Sequence, residues 1–258
     1  MSRHHKTALV FIFLLLVLTG LGFYIPIGVG YFVWVCVAWF VISMYGSAYI
    51  GSGFHTKTYC SNRLETQKKI AITFDDGPSP VTLQILDVLK EYNAKATFFC
   101  IGKNIEQHPE ILKKTFDCGH LIGNHSYSHS PLIDFSNQAQ FTVELEQTDA
   151  LIEKVIGKKP RFFRPPYGVT TPSMGRALKR SKHRVIGWNI RSFDGRLKSE
   201  SLIFNRIKSR ISPGSIILLH DSGQHSVGVL ERLLQALREK NYEVVSLEQL
   251  LNLKAYEN

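Results

Sequence analysis

The 43 residues from Ala8 to Ile50 are uncharged and mostly apolar. As one helix they would extend about 65 Å, roughly twice the hydrocarbon thickness of a bilayer. Pro26, which has glycines on both sides, offers a break near the middle. The pattern therefore predicts an anchor over residues 1–50, with two membrane spans joined as a tight hairpin, at residues 8–25 and 29–50.

A cleaved signal peptide is the alternative, with Arg3 and Lys6 as its basic start. The sequence LTGLGFY at residues 18–24 lacks the small-residue pattern at which signal peptides are cleaved. A signal peptide would also leave the second apolar run unexplained. The sequence thus favours a two-span anchor and a location at the cell membrane.

Charge and cysteine content narrow the range of partners. The chain carries 31 lysines and arginines against 21 aspartates and glutamates, a net charge of +10. Such a surface suits membrane lipid, an anionic polymer or nucleic acid. No nucleic-acid-binding motif accompanies it, so we expect no nucleic-acid partner.

The cysteines have no spacing typical of a zinc site or a disulfide framework and are predicted to be free thiols, at Cys36, Cys60, Cys100 and Cys118.

Residues 51–68 are predicted to form a polar linker, and residues 69–258 a second domain. In that domain, short apolar runs alternate with amphipathic stretches of helical period, such as residues 81–92, 141–157 and 229–241. Strands separated by helices indicate parallel pairing with right-handed crossovers. The prediction is an α/β fold, a distorted and nearly closed (β/α)7-type barrel, with strands at residues 69–74, 96–102, 120–125, 161–167, 183–190, 215–220 and 242–247.

Polar residues follow several of these strands at their carboxyl ends, where such barrels place their functional groups. The first predicted strand ends in TFDDGP, with Asp75 and Asp76, and the third leads into HSYSH, with His125 and His129. The four-residue spacing is predicted to place both imidazoles on one face of a helical turn. Two histidines and one carboxylate can hold a metal ion and leave positions for water and substrate.

Two further strand ends supply other groups that amide hydrolysis needs. In FRPPYG, Arg164 can pair with a carboxylate, and the two prolines remove competing donors, so that the Tyr167 N–H can be aimed at a substrate. The sequence IILLHD places His220 at the barrel mouth. Taken alone, Arg164 could equally be an exposed residue of a turn, and His220 a hydrogen-bonded core histidine.

In this order, the motifs TFDDGP (73–78), HSYSH (125–129), RPPY (164–167) and LLHD (218–221) resemble the NodB homology domain of the polysaccharide deacetylases, carbohydrate esterase family 4. The resemblance covers about residues 68–250. It implies that Asp75 is the catalytic base, that Arg164 orients it and that His220 is the general acid. It also implies that the Tyr167 N–H binds the oxyanion. The implied cofactor is a divalent metal, most often zinc, and its implied ligands are Asp76, His125 and His129.

One motif departs from the family. Members commonly carry an aspartate after W-x-V/I in the fifth strand, where it partners the acid histidine. This chain reads WNIRSFDG, with Arg191 in that place and Asp194 three residues later. Asp194 is the expected substitute, although strand alternation would place residues 191 and 194 on different faces. The alternative is that His220 has no carboxylate partner.

The resemblance implies a metal-dependent hydrolase that removes N-acetyl or O-acetyl groups from amino-sugar glycans such as chitin oligomers or peptidoglycan, and the apolar run at residues 8–50 predicts that it is anchored in the membrane. The alternatives are a deacylase or deformylase of a lipid-linked amino sugar and a catalytically inactive carbohydrate-binding barrel. The presence of both acid and base argues against the inactive barrel. The positive-inside rule places both ends of the hairpin in the cytoplasm, whereas a cell-wall substrate requires the barrel outside. The sequence leaves the side of the membrane open.

Overall fold

A parallel β-sheet with helices on its outer side forms the larger part of the protein. The computed structural model describes residues 2–197, 199–223 and 225–257. The outermost residues of the predicted anchor and of the predicted second domain, 1 and 258, lie outside the described residues. The strands are β1 (Thr58–Tyr59), β2 (Lys69–Asp75), β3 (Ala96–Cys100), β4 (Leu121–Asn124), β5 (Phe162–Phe163), β6 (Arg184–Ile186), β7 (Ile190–Arg191), β8 (Ile216–His220) and β9 (Glu243–Val244).

Ten α-helices accompany the strands within the described residues. They are α1 (Arg3–Leu21), α2 (Val29–Ala48), α3 (Pro80–Glu91), α4 (Gly102–Gln107), α5 (Pro109–Asp117), α6 (Gln138–Ile156), α7 (Pro172–Ser181), α8 (Glu200–Lys208), α9 (Ser226–Glu239) and α10 (Leu247–Leu251). The predicted helices at residues 81–92, 141–157 and 229–241 correspond to α3, α6 and α9.

The strands run in the order β1-β6-β5-β4-β3-β2-β8-β7, and β9 pairs with the start of β2. Every ladder between these strands is parallel. The two end strands, β1 and β7, do not pair with each other within the described ranges, so the sheet curls into an incomplete barrel. The predicted distorted barrel of alternating strands and helices is confirmed, with an open seam.

The predicted single strand at residues 183–190 is wrong, because the chain forms β6 and β7 there, at opposite ends of the sheet. The break lies at Gly187, which donates its N–H to Tyr59 O. A side chain at Gly187 would come within 2.5 Å of Cys60 Sγ. Two residues further on, the Asn189 N–H already reaches Ile216 O beside β8. The chain from β6 to β7 thus crosses the open seam between the two edges of the sheet, where no ladder of hydrogen bonds joins β1 to β7 within the described residues.

The segment at residues 51–68 differs from the polar linker that the sequence predicts. It contributes β1, which pairs with β6, and an isolated bridge from Ser61 to Ser215. Phe54 is 5% exposed and packs where a side chain at Gly46 would otherwise lie. A strand of two residues is too short to show the alternation by which strands are predicted.

The two N-terminal helices have the length and composition of membrane spans. Each has a mean hydropathy of 1.7 over its most apolar window, and their side chains are almost entirely exposed. An N-terminal signal sequence has the same properties. The helices pack against each other, and each has a backbone hydrogen bond that connects it to the rest of the chain. The His4 N–H donates to Phe54 O at 2.9 Å, and the Thr170 N–H donates to Ser47 O at 3.0 Å.

Strand β2 fixes the position of the functional groups. Its alternate residues Ile70, Ile72 and Phe74 pack against α3 and α9 in the main apolar core. Ala71 belongs to the second core, which lies inside the curled sheet, and Thr73 also bonds inward. Since side chains alternate along a strand, Asp75 must also point into the barrel, at its carboxyl end.

Candidate active site

The two adjacent acids of TFDDGP share one cavity although a regular strand would direct them to opposite faces. Asp75 ends β2, whereas Asp76 has a φ of 78°, in the left-handed region that few residues other than glycine adopt. The next residue, Gly77, lies so close to the Asp221 carboxylate that a side chain there would collide with it. The backbone therefore turns at Asp76 and brings its carboxylate back over the barrel mouth.

His125 and His129 lie in an irregular loop, and the predicted helical turn is wrong. Ser126 and His129 both have positive φ, 65° and 48°, which interrupts any helical path. The buried Asn124 side chain and the half-buried Glu144 side chain hold this loop. Asn124 Oδ1 accepts the Ser126 N–H at 2.8 Å, and Glu144 Oε2 accepts the N–H groups of Tyr127 and Ser128 at 2.9 and 2.7 Å. The loop nevertheless brings the imidazoles together, with ring centroids 5.0 Å apart.

The donor atoms of Asp76, His125 and His129 lie within 4.8 Å of one another, which suits one metal ion. Asp76 Oδ1 is 3.6 Å from His125 Nε2 and 3.5 Å from His129 Nε2. Ligand atoms about 2.1 Å from a tetrahedral zinc ion are about 3.4 Å apart, so these separations need little adjustment. The other ring nitrogen of His125, Nδ1, lies 2.7 Å from Arg164 O. As a donor to that carbonyl, Nδ1 fixes the ring and leaves Nε2 free to bind a metal.

Electrostatics at this cluster favour the ligand forms of Asp76 and His129. Burial alone would raise the pKa of Asp76, but the hydrogen bond and charge of His125, with the charges of His220 and His129, lower it to about 2. Burial lowers the pKa of His129, and the neighbouring His125 lowers it further. Burial would also lower the pKa of His125, but the charges of Asp75 and Asp76 outweigh burial and raise it. An ionised carboxylate and a neutral imidazole are the forms that bind metal.

Arg164 is fully buried inside the barrel and holds the second acid. Its Nη1 donates to Asp75 Oδ1 at 2.6 Å and to Thr73 Oγ1 at 2.8 Å, while Nη2 donates to Gly187 O at 3.0 Å. Its guanidinium stacks 4.1 Å from the centroid of the Phe99 ring. An exposed turn arginine, the alternative that the sequence left open, is excluded. Asp75 keeps Oδ2 free, 3.7 Å from His125 Nε2.

His220 is paired with Asp194, which the sequence offered as the substitute for the missing aspartate. Its Nδ1 is 2.6 Å from Asp194 Oδ1, and its backbone N–H donates to Asp194 Oδ2 at 2.8 Å. Burial would lower the pKa of His220, but the Asp194 hydrogen bond and charge, with the charges of Asp75 and Asp76, raise it to about 9. The imidazole is therefore protonated near neutral pH.

Arg191, which occupies the family's aspartate position, turns away from His220. Its guanidinium lies 5.6 Å from the centroid of the Trp188 ring and 5.1 Å from that of Phe193. Phe193 itself has a φ of 59°, so residues 191–194 do not continue a regular strand. This is why the alternation rule failed here and Asp194 reaches the histidine.

Several residues that support the site were not predicted from the sequence. Ser192 Oγ donates to Asp194 Oδ1 at 2.7 Å, and Ser226 Oγ donates to Asp194 Oδ2 at 3.3 Å. Asp221, next to His220 in the LLHD motif, accepts the Thr82 hydroxyl at 2.6 Å and supports the turn at Gly77. Burial raises the pKa of Asp221 to about 7. Of these supporting residues, only Asp221 had a signal in the sequence, because it belongs to the LLHD motif.

These groups surround an open cavity of about 240 Å³. Trp188 and Leu218 give it an apolar wall, and Arg191 and Arg196 line its rim. The Tyr167 ring packs edge-on against His129, with centroids 4.8 Å apart. The Tyr167 N–H has no acceptor among the residues that the structure describes, so it can serve a ligand. The cavity thus brings together the cluster of Asp76, His125 and His129, the Asp75 carboxylate, the His220–Asp194 pair and a free backbone donor.

Residues 62–186 match the family model described as polysaccharide deacetylase. The chain is 35% identical over 184 residues to a peptidoglycan-N-acetylglucosamine deacetylase of Bacillus cereus, covering 69% of this chain and 66% of that protein. It is 34% identical over 189 residues to the peptidoglycan-N-acetylmuramic acid deacetylase PdaC of Bacillus subtilis, covering 73% of this chain. That match spans only 40% of the length of PdaC.

A solved structure shows the same fold. The crystal structure of the Bc1960 peptidoglycan N-acetylglucosamine deacetylase superimposes with a TM-score of 0.73 at 32% sequence identity. The superposition covers 78% of this chain and 95% of that one.

Proposed function

This chain belongs to the polysaccharide deacetylase family, carbohydrate esterase family 4, and on that premise we propose that it removes N-acetyl groups from the amino sugars of peptidoglycan. One observation carries the proposal. A buried base that is paired with an arginine, an acid that is paired with a carboxylate and a two-histidine, one-carboxylate cluster all face the same cavity. Similarity to peptidoglycan deacetylases supports the choice of substrate.

Asp76, His125 and His129 would hold the metal on which deacetylases of this family depend, and we propose zinc. When bound, zinc polarises the acetyl carbonyl and makes water more acidic. The protein's own side chains supply the proton transfers. Asp75 Oδ2 accepts the proton of the attacking water, while the hydrogen bond from Arg164 to Oδ1 holds the carboxylate in place.

The second half of the reaction requires a proton for the departing amine. His220 uses Nδ1 to bind Asp194, so its Nε2 is the atom that delivers this proton from the cavity side. The Tyr167 N–H stabilises the oxyanion that forms on the acetyl carbonyl. Trp188 and Leu218 provide apolar contact for the acetyl methyl group.

The basic rim favours peptidoglycan over chitin. Arg191 and Arg196 line the cavity, and an anionic group next to the sugar would meet their charges. Peptidoglycan carries carboxylates on its peptide stems, whereas chitin is neutral.

The rival functions are removal of O-acetyl groups, deacylation of a lipid-linked amino sugar, and carbohydrate binding by an inactive barrel. The paired acid and base weigh against the inactive barrel.

A substrate panel tests this proposal. We expect the purified chain to release acetate from peptidoglycan faster than from chitin oligomers, acetylated xylan or a lipid-linked amino sugar. Quantified acetate, with an equal amount of new free amine on the sugar, distinguishes N-deacetylation from O-deacetylation. Faster acetate release from acetylated xylan would move the activity to O-acetyl esters. Acetate release from the lipid-linked sugar alone would favour the lipid-linked deacylase, and formate release from a formylated lipid-linked sugar would favour a deformylase.

Asp194→Asn is expected to move the alkaline limb of the pH–rate profile to lower pH by about one to three units. His220 acts as an acid only while protonated, so activity falls as pH rises through its pKa, which Asp194 holds high. The measurement is kcat/KM against pH. Arg191→Gln serves as the matched control, because its guanidinium lies on Trp188 and Phe193 and should leave the limb in place. An unmoved limb in Asp194→Asn would show that His220 is not the acid.

We also propose that α1 and α2 anchor the enzyme in the cell membrane by two spans, with the barrel close to the bilayer surface. Two observations support this arrangement: the exposed apolar side chains of the helices, and the hydrogen bonds that join α1 to Phe54 and α2 to Thr170. Mature protein that keeps its N-terminal residues and stays in the membrane fraction after alkaline washing would agree with it. A mature protein beginning after residue 24 would instead identify a cleaved signal.

A further inference from the structure

A second cavity, of about 810 Å³, lies where the helix pair meets the barrel, away from the active site. Its walls come from the first residues of α1, from the segment at residues 55–59 and from one side of α7. No aspartate or glutamate is among its lining residues within the described part of the chain. Six of its lining residues are basic: Lys57, Arg161, Arg176, Lys179, Lys182 and Arg184.

Among the residues that the structure describes, none of the six cations forms an ion pair with an aspartate or glutamate, so their charges stay uncompensated. Arg176 bonds the Gln138 side chain at 3.1 Å and the Ser173 hydroxyl at 3.3 Å, and Lys57 lies 4.8 Å from the centroid of the Tyr59 ring. Asp149, which does not line the cavity, lies 3.3 Å from Nε2 of His183, a lining residue. Like charges gathered in a concave site raise the local concentration of anions.

Three buried nitrogen atoms without hydrogen-bond partners among the described residues belong to side chains that line the same cavity. The side chains of seven described residues have a buried polar atom that lacks a hydrogen-bond partner, and three of these residues line this cavity. The atoms are His4 Nδ1, His55 Nδ1 and Arg161 Nε. Native folds leave few buried polar groups unpaired, and a ligand is one way to satisfy them. Cations and unpaired nitrogens together indicate an oxygen-rich anion.

The position of the cavity points to the source of that anion. Helix α1 begins beside it, and α2 ends at Ala48, a few residues before the segment that forms its wall. If the two helices span the bilayer, the cavity lies at the level of the lipid headgroups. We propose that it binds the phosphate of an anionic phospholipid headgroup, whose acyl chains would run along the exposed apolar side chains of α1 and α2. This inference depends on the two-span anchor and not on the deacetylase activity.

Isothermal titration of the full-length protein in nonionic detergent tests this site. Dihexanoylphosphatidylglycerol is the anionic probe, dihexanoylphosphatidylcholine the zwitterionic one, and inorganic pyrophosphate and polyphosphate stand for anions without acyl chains. We expect the anionic lipid to bind and the zwitterionic lipid to bind far more weakly. The double variant Lys179→Gln/Arg184→Gln should weaken binding of the anionic lipid by about 25-fold, about fivefold for each charge.

The matched control is Arg180→Gln/Arg210→Gln, which removes two exposed cations outside the cavity and should leave the affinity unchanged. Thermal unfolding and acetate release show whether each variant is folded, since none of these residues belongs to the active site. Equal binding of the two lipids, or equal losses in both double variants, would overturn the site. Polyphosphate or pyrophosphate binding as tightly as the anionic lipid would overturn its assignment to a lipid.

Discussion

Replacing Asp75 by asparagine is expected to lower kcat by about 10²- to 10⁴-fold, while zinc content remains at the wild-type level. The amide cannot accept a proton from water, so the base is lost. Its oxygen can still accept the hydrogen bond from Arg164 Nη1, which now reaches Asp75 Oδ1 at 2.6 Å. The metal-ligand cluster lies on Asp76, His125 and His129 and does not need Asp75. Steady-state kinetics and metal analysis of the same preparation measure both effects.

The neighbouring acid provides the contrast. Asp76→Asn should lose zinc first and activity as a consequence, because Asp76 Oδ1 faces both imidazoles. Equal metal loss in the two variants would show that the roles of the two acids are divided wrongly. An Asp75→Asn protein with full zinc and activity within a few-fold of wild type would remove Asp75 from the role of base.

His125→Ala is expected to weaken zinc binding by more than about 100-fold and to abolish acetate release at ordinary zinc concentrations. Loss of one supporting residue around a metal site already costs about 10- to 100-fold in affinity, and loss of a ligand should cost more. The ring is buried, and its Nδ1 is fixed 2.7 Å from Arg164 O, so the wild-type side chain holds Nε2 in position to bind the metal. Titration with zinc against a competing chelator measures the affinity.

His108→Ala is the matched control for this prediction. His108 is a partly exposed histidine beside Glu110, at 3.8 Å, and lies outside the ligand cluster. Its removal should leave zinc affinity unchanged. Circular dichroism of both variants tests whether the barrel stays folded. A folded His125→Ala protein that holds stoichiometric zinc with wild-type affinity would overturn the metal assignment.

The alternation of strands and helices was readable from the sequence because apolar periodicity reports burial directly. This periodicity predicted β2, β3 and β8 nearly at their observed bounds. The same signal failed for β1, which has two residues, and for the break at Gly187, where the chain crosses the seam of the sheet. Such features depend on contacts between distant segments, such as the bond from the Gly187 N–H to Tyr59 O, and no local pattern records them.

In the site, too, the residues could be predicted from the sequence, whereas features that depend on the folded backbone could not. The motifs identified the side chains that meet in the cavity, because acidic, basic and imidazole residues at strand ends can be recognised in the sequence. Backbone conformation was not predictable: positive φ at Asp76, His129 and Phe193 decides which way the key groups point. For the same reason, strand alternation argued against the Asp194–His220 contact, which the structure forms at 2.6 Å. Positive φ in such residues is held by surrounding structure and is common at functional sites.

Acetate release from purified N-acetylglucosamine-containing peptidoglycan fragments is the most direct measurement of the proposed function. The full-length protein is assayed as purified, after removal of metal with a chelator, and after addition of one equivalent of zinc. The proposal predicts acetate release that disappears on chelation and returns with zinc, and it predicts none of this recovery in Asp75→Asn. Acetate release that persists in fully metal-free protein, or an absence of release at any zinc concentration, would contradict it.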